Sequence, residues 1–238
     1  MTPTTTLSKS QQELLLQLST SLDQGLSSAE ASKRRDEDNH GNYNVVDPPL
    51  KCPAWACILL PCIKYIPSMK LFRQIQPDDA EVLRDGHWIR YDAASLVKGD
   101  IVRLEEGDRV PADCTCLCTS GDADMEMVVD VRHITGETKP RTVAKQQPQP
   151  PPPPQSSDTT TTTMALKPVQ IFYGGHVVQG SGIVVVTSTG SSTLLASLIA
   201  DRRWPPQGNV MEEYEDGDIH TFQDEEEVGV SLLPSQAG

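Results

Sequence analysis

Residues 80–188 contain a series of short segments rich in β-branched residues, separated by turns that contain glycine. The clearest pair, 81–84 and 87–91, flanks the dipeptide Asp85–Gly86. A two-residue Asp-Gly connection between such segments is typical of a tight β-hairpin, because both turn residues must adopt positive φ. We therefore predict a mainly β fold built from short antiparallel strands.

Other segments extend this prediction along the chain. Strands are predicted at 100–104, 114–118, 125–134, 169–173, 177–178 and 183–188, and a short helix at 193–200. Near the N-terminus, leucines recur at helical spacing on one face, at Leu14, Leu15, Leu18 and Leu22, and Gly25 provides a C-terminal stop. A second short helix is predicted after Ser27, so residues 10–46 form a helical N-terminal region.

Composition divides the rest of the chain. Residues 47–77 are a Cys- and Pro-rich apolar connector, and residues 78–203 hold the β domain. Within that domain, residues 146–163 consist almost entirely of Pro, Gln, Ser and Thr, which predicts a disordered insert. The acidic residues 204–238 are predicted to be a disordered tail.

Charge and cysteine content exclude some classes of protein. The net charge of −13 argues against nucleic-acid binding, since the phosphate backbone favours clustered Lys and Arg. The N-terminus lacks a secretory pattern, and the longest apolar stretch, 54–63, is too short to span a bilayer. Six cysteines without a secretory signal predict reduced thiols and a cytoplasmic location, with the cytosolic face of a membrane as an alternative.

Three groups of motifs occur in a fixed order. The first comprises LVKGDIV at 96–102 and GDRVPAD at 107–113; the second is ITGETKP at 134–140; the third runs from FYGG at 172–175 through VQGSG at 178–182 to TGSST at 189–193. Together they resemble the actuator domain of P-type cation-transporting ATPases. The resemblance extends to residues 10–46, which are similar to the N-terminal region of cation ATPases, and covers 78–200. It implies a distorted jelly-roll of antiparallel strands flanked by short helices.

The family's TGES loop corresponds to Thr135, Gly136, Glu137 and Thr138. The resemblance implies that Glu137 positions the water that hydrolyses an aspartyl phosphate on a separate phosphorylation domain. Gly136 would allow the turn, and the two threonines would bond to backbone or phosphate oxygens. The competing interpretation is that Glu137 is a solvated acidic residue in a domain without chemistry of its own.

Departures from the family pattern shape the functional expectation. The run before the loop is Asp130–Val131–Arg132–His133 instead of D-E-S, and no DKTGT phosphorylation motif or nucleotide-binding domain follows. We expect no enzyme activity from the chain alone. The expected function is a stand-alone actuator-like module for interaction or regulation. The alternatives are a component that promotes aspartyl-phosphate hydrolysis in trans, or a fragment of a pump.

Cysteines and carboxylates suggest no metal or other cofactor. Cys114, Cys116 and Cys118 alternate along one strand and are predicted to be buried thiols. Asp100, Asp108 and Asp113 are interpreted as residues that fix turns. Three further cysteines, Cys52, Cys57 and Cys62, lie among apolar residues and form either a buried, partner-facing strap or a peripheral membrane contact. The expected partner is a P-type ATPase or its phosphorylation domain.

Overall fold

The computed structural model describes residues 7–36, 43–51, 66–120, 126–143 and 169–206. The helices are α1 (Lys9–Gln17), α2 (Ser28–Asp36), α3 (Pro67–Ile75), α4 (Arg132–Thr135) and α5 (Leu194–Ala200). The strands are β1 (Asp79–Arg84), β2 (His87–Asp92), β3 (Ile101–Leu104), β4 (Asp113–Ser120), β5 (Met127–Asp130), β6 (Arg141–Val143), β7 (Gln170–Ile171), β8 (His176–Gln179) and β9 (Ser181–Ser188).

The strands form two antiparallel sheets. The larger has six strands in the order β2-β1-β3-β9-β4-β7, and the smaller has three in the order β6-β5-β8. The predicted hairpin is confirmed: Arg84 pairs with His87 across the turn, where φ is 51° at Asp85 and 76° at Gly86. Positive φ at both positions is the type I′ geometry that matches the twist of the flanking strands.

The main core lies between the two sheets. Valines of the large sheet, among them Val82 and Val184, share one apolar cluster with Met127 and Val129 of the small sheet. Helix α3 closes the cluster with Leu71, Phe72 and Ile75, and α5 adds Leu195. The mainly β, jelly-roll-like fold with few short helices is confirmed.

Helix α1 covers the opposite face of the large sheet. Leu15 of the helix and Leu18, which directly follows it, pack against Leu83 of the sheet, with Ile101, Leu117 and Val185 in the same cluster. The buried amide of Gln11 donates hydrogen bonds of 3.0 and 2.8 Å to the carbonyls of Cys116 and Leu117. These carbonyls lie where β4 shifts register against β9, so the helix also satisfies backbone groups at an irregular point in the sheet.

The structure differs from the predicted elements in five places. Helix α1 ends at Gln17, eight residues before the stop expected at Gly25, and helix α3 was not predicted. The strand expected at 125–134 ends at Asp130, and Arg132–Thr135 form a single helical turn instead. Strand β6 was not expected from its sequence, and it pairs with β5. Trp204, assigned to the disordered tail, is buried because its indole packs on the core. The insert, residues 207–238 and Cys52, Cys57 and Cys62 lie outside the described residues.

The cysteines of β4 lead to a labelling prediction. Cys114 and Cys116 are buried, as predicted, whereas Cys118 is half-buried. Burial raises the pKa of the Cys116 thiol to about 12 and that of Cys114 well above its usual value. The thiolate is the reactive form. At pH 8 we therefore expect Cys114 and Cys116 to alkylate more than about 100-fold more slowly in the folded chain than in urea.

Tandem mass spectrometry of iodoacetamide-treated protein measures this protection residue by residue. Cys118 is the internal control, since its partial exposure predicts faster labelling than its neighbours. Equal labelling of Cys116 in folded and unfolded protein would show that this face of β4 is not packed as described.

Candidate functional site

The loop that carries Glu137 begins at the end of helix α4. Gly136 terminates the helix with φ 77° in the left-handed region, and its N–H donates to the carbonyl of Arg132. The hydroxyl of Thr135 donates to the carbonyl of Val131 at 3.2 Å and accepts the N–H of Glu137 at 3.4 Å. A left-handed glycine is the usual end of a helical turn because other residues are strained there. Gly136 thus turns the chain so that Glu137 leaves the helix.

Glu137 is bound by an arginine on the adjoining strand. Its Oε1 and Oε2 accept hydrogen bonds of 2.6 and 3.0 Å from Nη2 and Nε of Arg141. This bidentate arrangement is the strongest geometry between a carboxylate and a guanidinium. The Glu137 side chain is 39% exposed, and Arg141 holds the pKa of its carboxyl below the usual value. Glu137 is therefore an ionised carboxylate, accessible to solvent but already paired.

Arg141 is itself fixed from the opposite side. Its Nη1 donates a 2.8 Å hydrogen bond to the carbonyl of Gln170, and its guanidinium carbon lies 4.6 Å from the centre of the Phe172 ring. Stacking on an aromatic face stabilises an arginine without using its N–H donors. The arginine is thus a fixed part of the loop's surroundings, anchored to strand β7 and the residues that follow it.

One side of the loop packs against the segment that follows α5. Trp204 donates its indole N–H to the carbonyl of His133 at 2.7 Å, and its ring meets Phe72 edge-on at 6.0 Å. A Cβ on Gly136 would lie 3.1 Å from Cβ of Pro206. His133 is buried. The loop is therefore supported on one side by packing, while Glu137 is partly exposed and Thr138, Lys139 and Pro140 are exposed.

The sequence of residues before the loop also has a structural role. Asp130 accepts the backbone N–H of Arg132 at 2.9 Å through Oδ1 and its side-chain Nε at 2.8 Å through Oδ2. These contacts hold the first residue of α4 against the end of β5. The Asp-Val-Arg-His run thus orients the helical turn from which the loop emerges.

The aspartates of the other motifs hold backbone segments together. Asp100 accepts the N–H of Val97, and Asp108 accepts that of Glu105, each at 2.8 Å. Asp113 accepts the backbone N–H of Tyr173 and of Leu194, at 2.9 and 2.6 Å. The contacts of Asp100 and Asp108 with residues three positions away agree with their interpretation as residues that fix turns, whereas Asp113 joins segments that are distant in sequence, contrary to that interpretation. The described residues include no group of three or more His, Cys, Asp or Glu placed to hold a metal ion.

The structure brings together only part of the predicted site. Thr135 and Glu137 share a hydrogen bond, and Thr138 is exposed at the surface. Sequence reasoning missed Arg141, which carries the main interaction of Glu137. Arg141 lies four residues after Glu137, but this spacing predicts a side-chain contact only within a helix, and no helix was predicted there. Phe172 lies in the FYGG motif, 35 positions along the chain from Glu137, but nothing in that motif linked it to the loop.

The two antiparallel sheets and the glycine-supported Glu137 loop define the class of protein as an actuator domain. A family model for the P-type ATPase actuator domain matches residues 74–202, which is more than half of the chain. The chain therefore belongs to the P-type ATPase actuator domain family. In the described part of the chain, no helix has the length and apolar character of a membrane span.

The chain spans only about a tenth of the length of the two curated relatives described next. The sodium/potassium-transporting ATPase subunit alpha-2 of Gallus gallus is 29% identical over 130 residues, which is 55% of this chain and 11% of that protein. The endoplasmic reticulum calcium ATPase srcA of Aspergillus fumigatus is 31% identical over 134 residues, 55% of this chain and 12% of that protein. A crystal structure of a zinc-transporting PIB-type ATPase in an E2.Pi state covers 61% of this chain and 20% of its own, with 18% identity and a TM-score of 0.38.

Proposed function

We propose that the chain is a regulatory interaction module whose loop 135–138 docks onto the phosphorylation domain of a P-type ATPase. The observation that carries this proposal is the state of Glu137: ionised, 39% exposed, and held by two hydrogen bonds from Arg141. A loop supported on one side by packing and partly exposed presents a preformed surface, which lowers the entropy cost of docking. The paired carboxylate favours a docking role over chemistry by the chain itself.

Binding of the full chain to an isolated P-type ATPase phosphorylation domain tests the proposal. The domain is used in two forms, untreated and treated with beryllofluoride to mimic the aspartyl phosphate, and the dissociation constant is measured for each. We expect tighter binding to the beryllofluoride form, since the loop faces the phosphorylated residue. If the chain binds neither form of the domain, the proposal is overturned.

A glycine variant makes the test specific to the loop. Gly136→Ala should weaken docking about tenfold or more, because positive φ costs a residue with a Cβ about 1–2 kcal/mol and the new methyl group meets Pro206. Gly107→Ala is the matched control: its φ is also positive, at 95°, but an added Cβ meets nothing within 4 Å. If both variants bind alike, docking does not use loop 135–138.

A second candidate function is hydrolysis of the aspartyl phosphate in trans. Its support is the exposure and ionised state of Glu137, which leave lone pairs that could orient a water. The water oxygen would bond to phosphorus, the bond from phosphorus to the aspartyl oxygen would break, and the aspartate would leave as a carboxylate. The water proton would pass to Glu137 or solvent. Inorganic phosphate and a free aspartate are the products.

Turnover of a phosphorylated partner separates the two functions. If the chain is catalytic, it accelerates loss of phosphate, and Glu137→Gln removes about 100-fold or more of that acceleration. If the chain is a docking module, Glu137→Gln leaves the rate of phosphate loss unchanged. The variant Glu81→Gln, on strand β1, is the control for loss of a carboxylate elsewhere.

A further inference from the structure

We propose that Arg141 is the positioning residue of the Glu137 loop, and that a phosphoryl anion displaces Glu137 from it. The inference rests on the proposed function, because the anion in question belongs to the docked partner. In the undocked chain Arg141 binds the carboxylate. On docking, the guanidinium transfers its paired donors to phosphoryl oxygens, and Glu137 is released toward solvent or a bound water.

The contacts of Arg141 divide into a fixed set and an exchangeable set. Nη1 is bonded to the carbonyl of Gln170, and the guanidinium face lies on the ring of Phe172. These contacts do not depend on Glu137. The remaining pair of donors, Nε and Nη2, points at the Glu137 carboxylate. The arginine can therefore keep its place while one anionic partner is exchanged for another.

The chemistry of the donor pair favours phosphate as the competing anion. The guanidinium fork matches two oxygens of a phosphoryl group as well as it matches a carboxylate. A phosphoryl dianion carries more charge than a carboxylate, so it interacts more strongly with the same cation. Glu137 is the partner that can leave, since it lies on an irregular loop and its side chain is 39% exposed.

Exchange would change the basicity of Glu137. While it is paired, the hydrogen bonds and charge of Arg141 hold the pKa of Glu137 below its usual value. A released carboxylate loses these contacts, so its pKa rises and it becomes a better acceptor for a water proton. In the alternative role in hydrolysis, the pair would thus keep Glu137 from accepting a water proton until a phosphoryl group is present.

Nuclear magnetic resonance on the full chain tests the exchange directly. The pKa of Glu137 is measured from its side-chain carboxyl 13C shift, and the Arg141 Nε–H resonance is followed in the same samples. The probe is inorganic phosphate, which is singly charged where Glu137 titrates and mainly doubly charged above pH 7, so the Arg141 resonance is also recorded at pH 7.5. Chloride at equal ionic strength is the reference. We expect phosphate to shift the Arg141 resonance and to raise the pKa of Glu137 toward its usual value. Chloride should do neither.

Three variants show which group is responsible. Arg141→Gln should give Glu137 a pKa near its usual value and remove the response to phosphate, and Arg141→Lys should restore part of both. Arg103→Gln is the matched control, because Arg103 also pairs with a carboxylate, that of Glu81, and also lies over an aromatic ring, that of Trp88. It should leave the Glu137 titration unchanged.

Two results would overturn the exchange. One is a phosphate response no larger than that of chloride. The other is a shifted Arg141 resonance with an unchanged pKa of Glu137, because the anion would then bind without displacing the carboxylate. These measurements need no partner protein. A failed exchange can therefore be told apart from a failure of docking, which is measured separately against the phosphorylation domain.

Discussion

Replacing Asp100 by asparagine is expected to lower the free energy of unfolding by about 3–5 kcal/mol. Asp100 is completely buried, and Arg84, the residue it pairs with, is 4% exposed. The carboxylate accepts hydrogen bonds from Nε and Nη2 of Arg84, at 3.0 and 2.6 Å, and from the N–H of Val97. Asparagine offers only one oxygen and turns an N–H group toward the guanidinium, so a buried cation loses its counter-charge.

The environment of Arg84 shows why it stays charged. Burial acts to lower the pKa of Arg84, but hydrogen bonding and the charge of Asp100, with a smaller contribution from Tyr91, raise it above its usual value. The guanidinium also lies 4.6 Å from the centre of the Tyr91 ring. Arg84 therefore stays charged when Asp100 is replaced, because it does not lose its proton to compensate for the missing counter-charge.

An ion pair between β1 and β3 is the matched control. Glu81 and Arg103 are opposite each other on β1 and β3, at 3.2 Å, with side chains 29% and 34% exposed. Because water screens such a pair, Glu81→Gln should cost no more than about 1 kcal/mol. Urea unfolding of the full chain, followed by circular dichroism, measures both variants.

A double variant distinguishes the cost of leaving the Arg84 charge without a partner from the cost of losing the whole ion pair. Arg84→Met with Asp100→Leu removes both charges, so it should regain a large part of the stability that Asp100→Asn loses. If Asp100→Asn costs no more than Glu81→Gln, the buried pair is not formed as the structure has it.

Local sequence signals predicted those parts of the fold that local chemistry determines. The Asp85–Gly86 turn could be predicted because two adjacent residues must both adopt positive φ, a property of the dipeptide itself. The short helix after Thr193 could be predicted for a similar reason, since the threonine hydroxyl accepts the N–H of Ala196 within the first turn.

Other parts depend on contacts between distant segments, which no local pattern records. Strand β6 has only three residues, and its pairing with β5 decides that it is a strand at all. Trp204 follows the last helix and resembles the start of an acidic tail, yet its indole reaches the carbonyl of His133, 71 residues away. Tertiary packing determines both, so composition gave the wrong expectation for Trp204 and none for β6.

The residues of the candidate site also fall into two groups, those that a local motif indicates and those that depend on contacts between distant segments. Glu137 and Gly136 could be singled out because the segment 134–140 resembles the TGES loop of the family. Arg141 could not, since its role depends on the turn of the loop and on Phe172 and Gln170 from beyond the insert. The motif thus identified the carboxylate, and only the structure identified the cation that determines what this carboxylate can do.

Asp113→Ala is expected to cost about 2–5 kcal/mol, because it leaves two backbone donors without an acceptor. Asp113 ends the GDRVPAD motif and begins β4. One oxygen accepts the N–H of Tyr173 after β7, and the other accepts the N–H of Leu194, the first residue of α5. Loss of the carboxylate therefore disconnects three segments. Asp108→Ala, which removes a single bond at an exposed turn, is the control and should cost about 1 kcal/mol or less.

The cost of Asp113→Ala should also depend on pH. Burial raises the pKa of Asp113 in the folded chain, and the two backbone hydrogen bonds oppose this only in part. A carboxyl with a raised folded pKa holds its proton more tightly when folded than when unfolded. Its contribution is therefore largest below its ordinary value of 3.8 and declines as the pH rises through the folded pKa. Urea unfolding of both proteins should give a larger difference near pH 4 than at pH 7, and a difference that grows toward pH 7 would contradict the raised pKa.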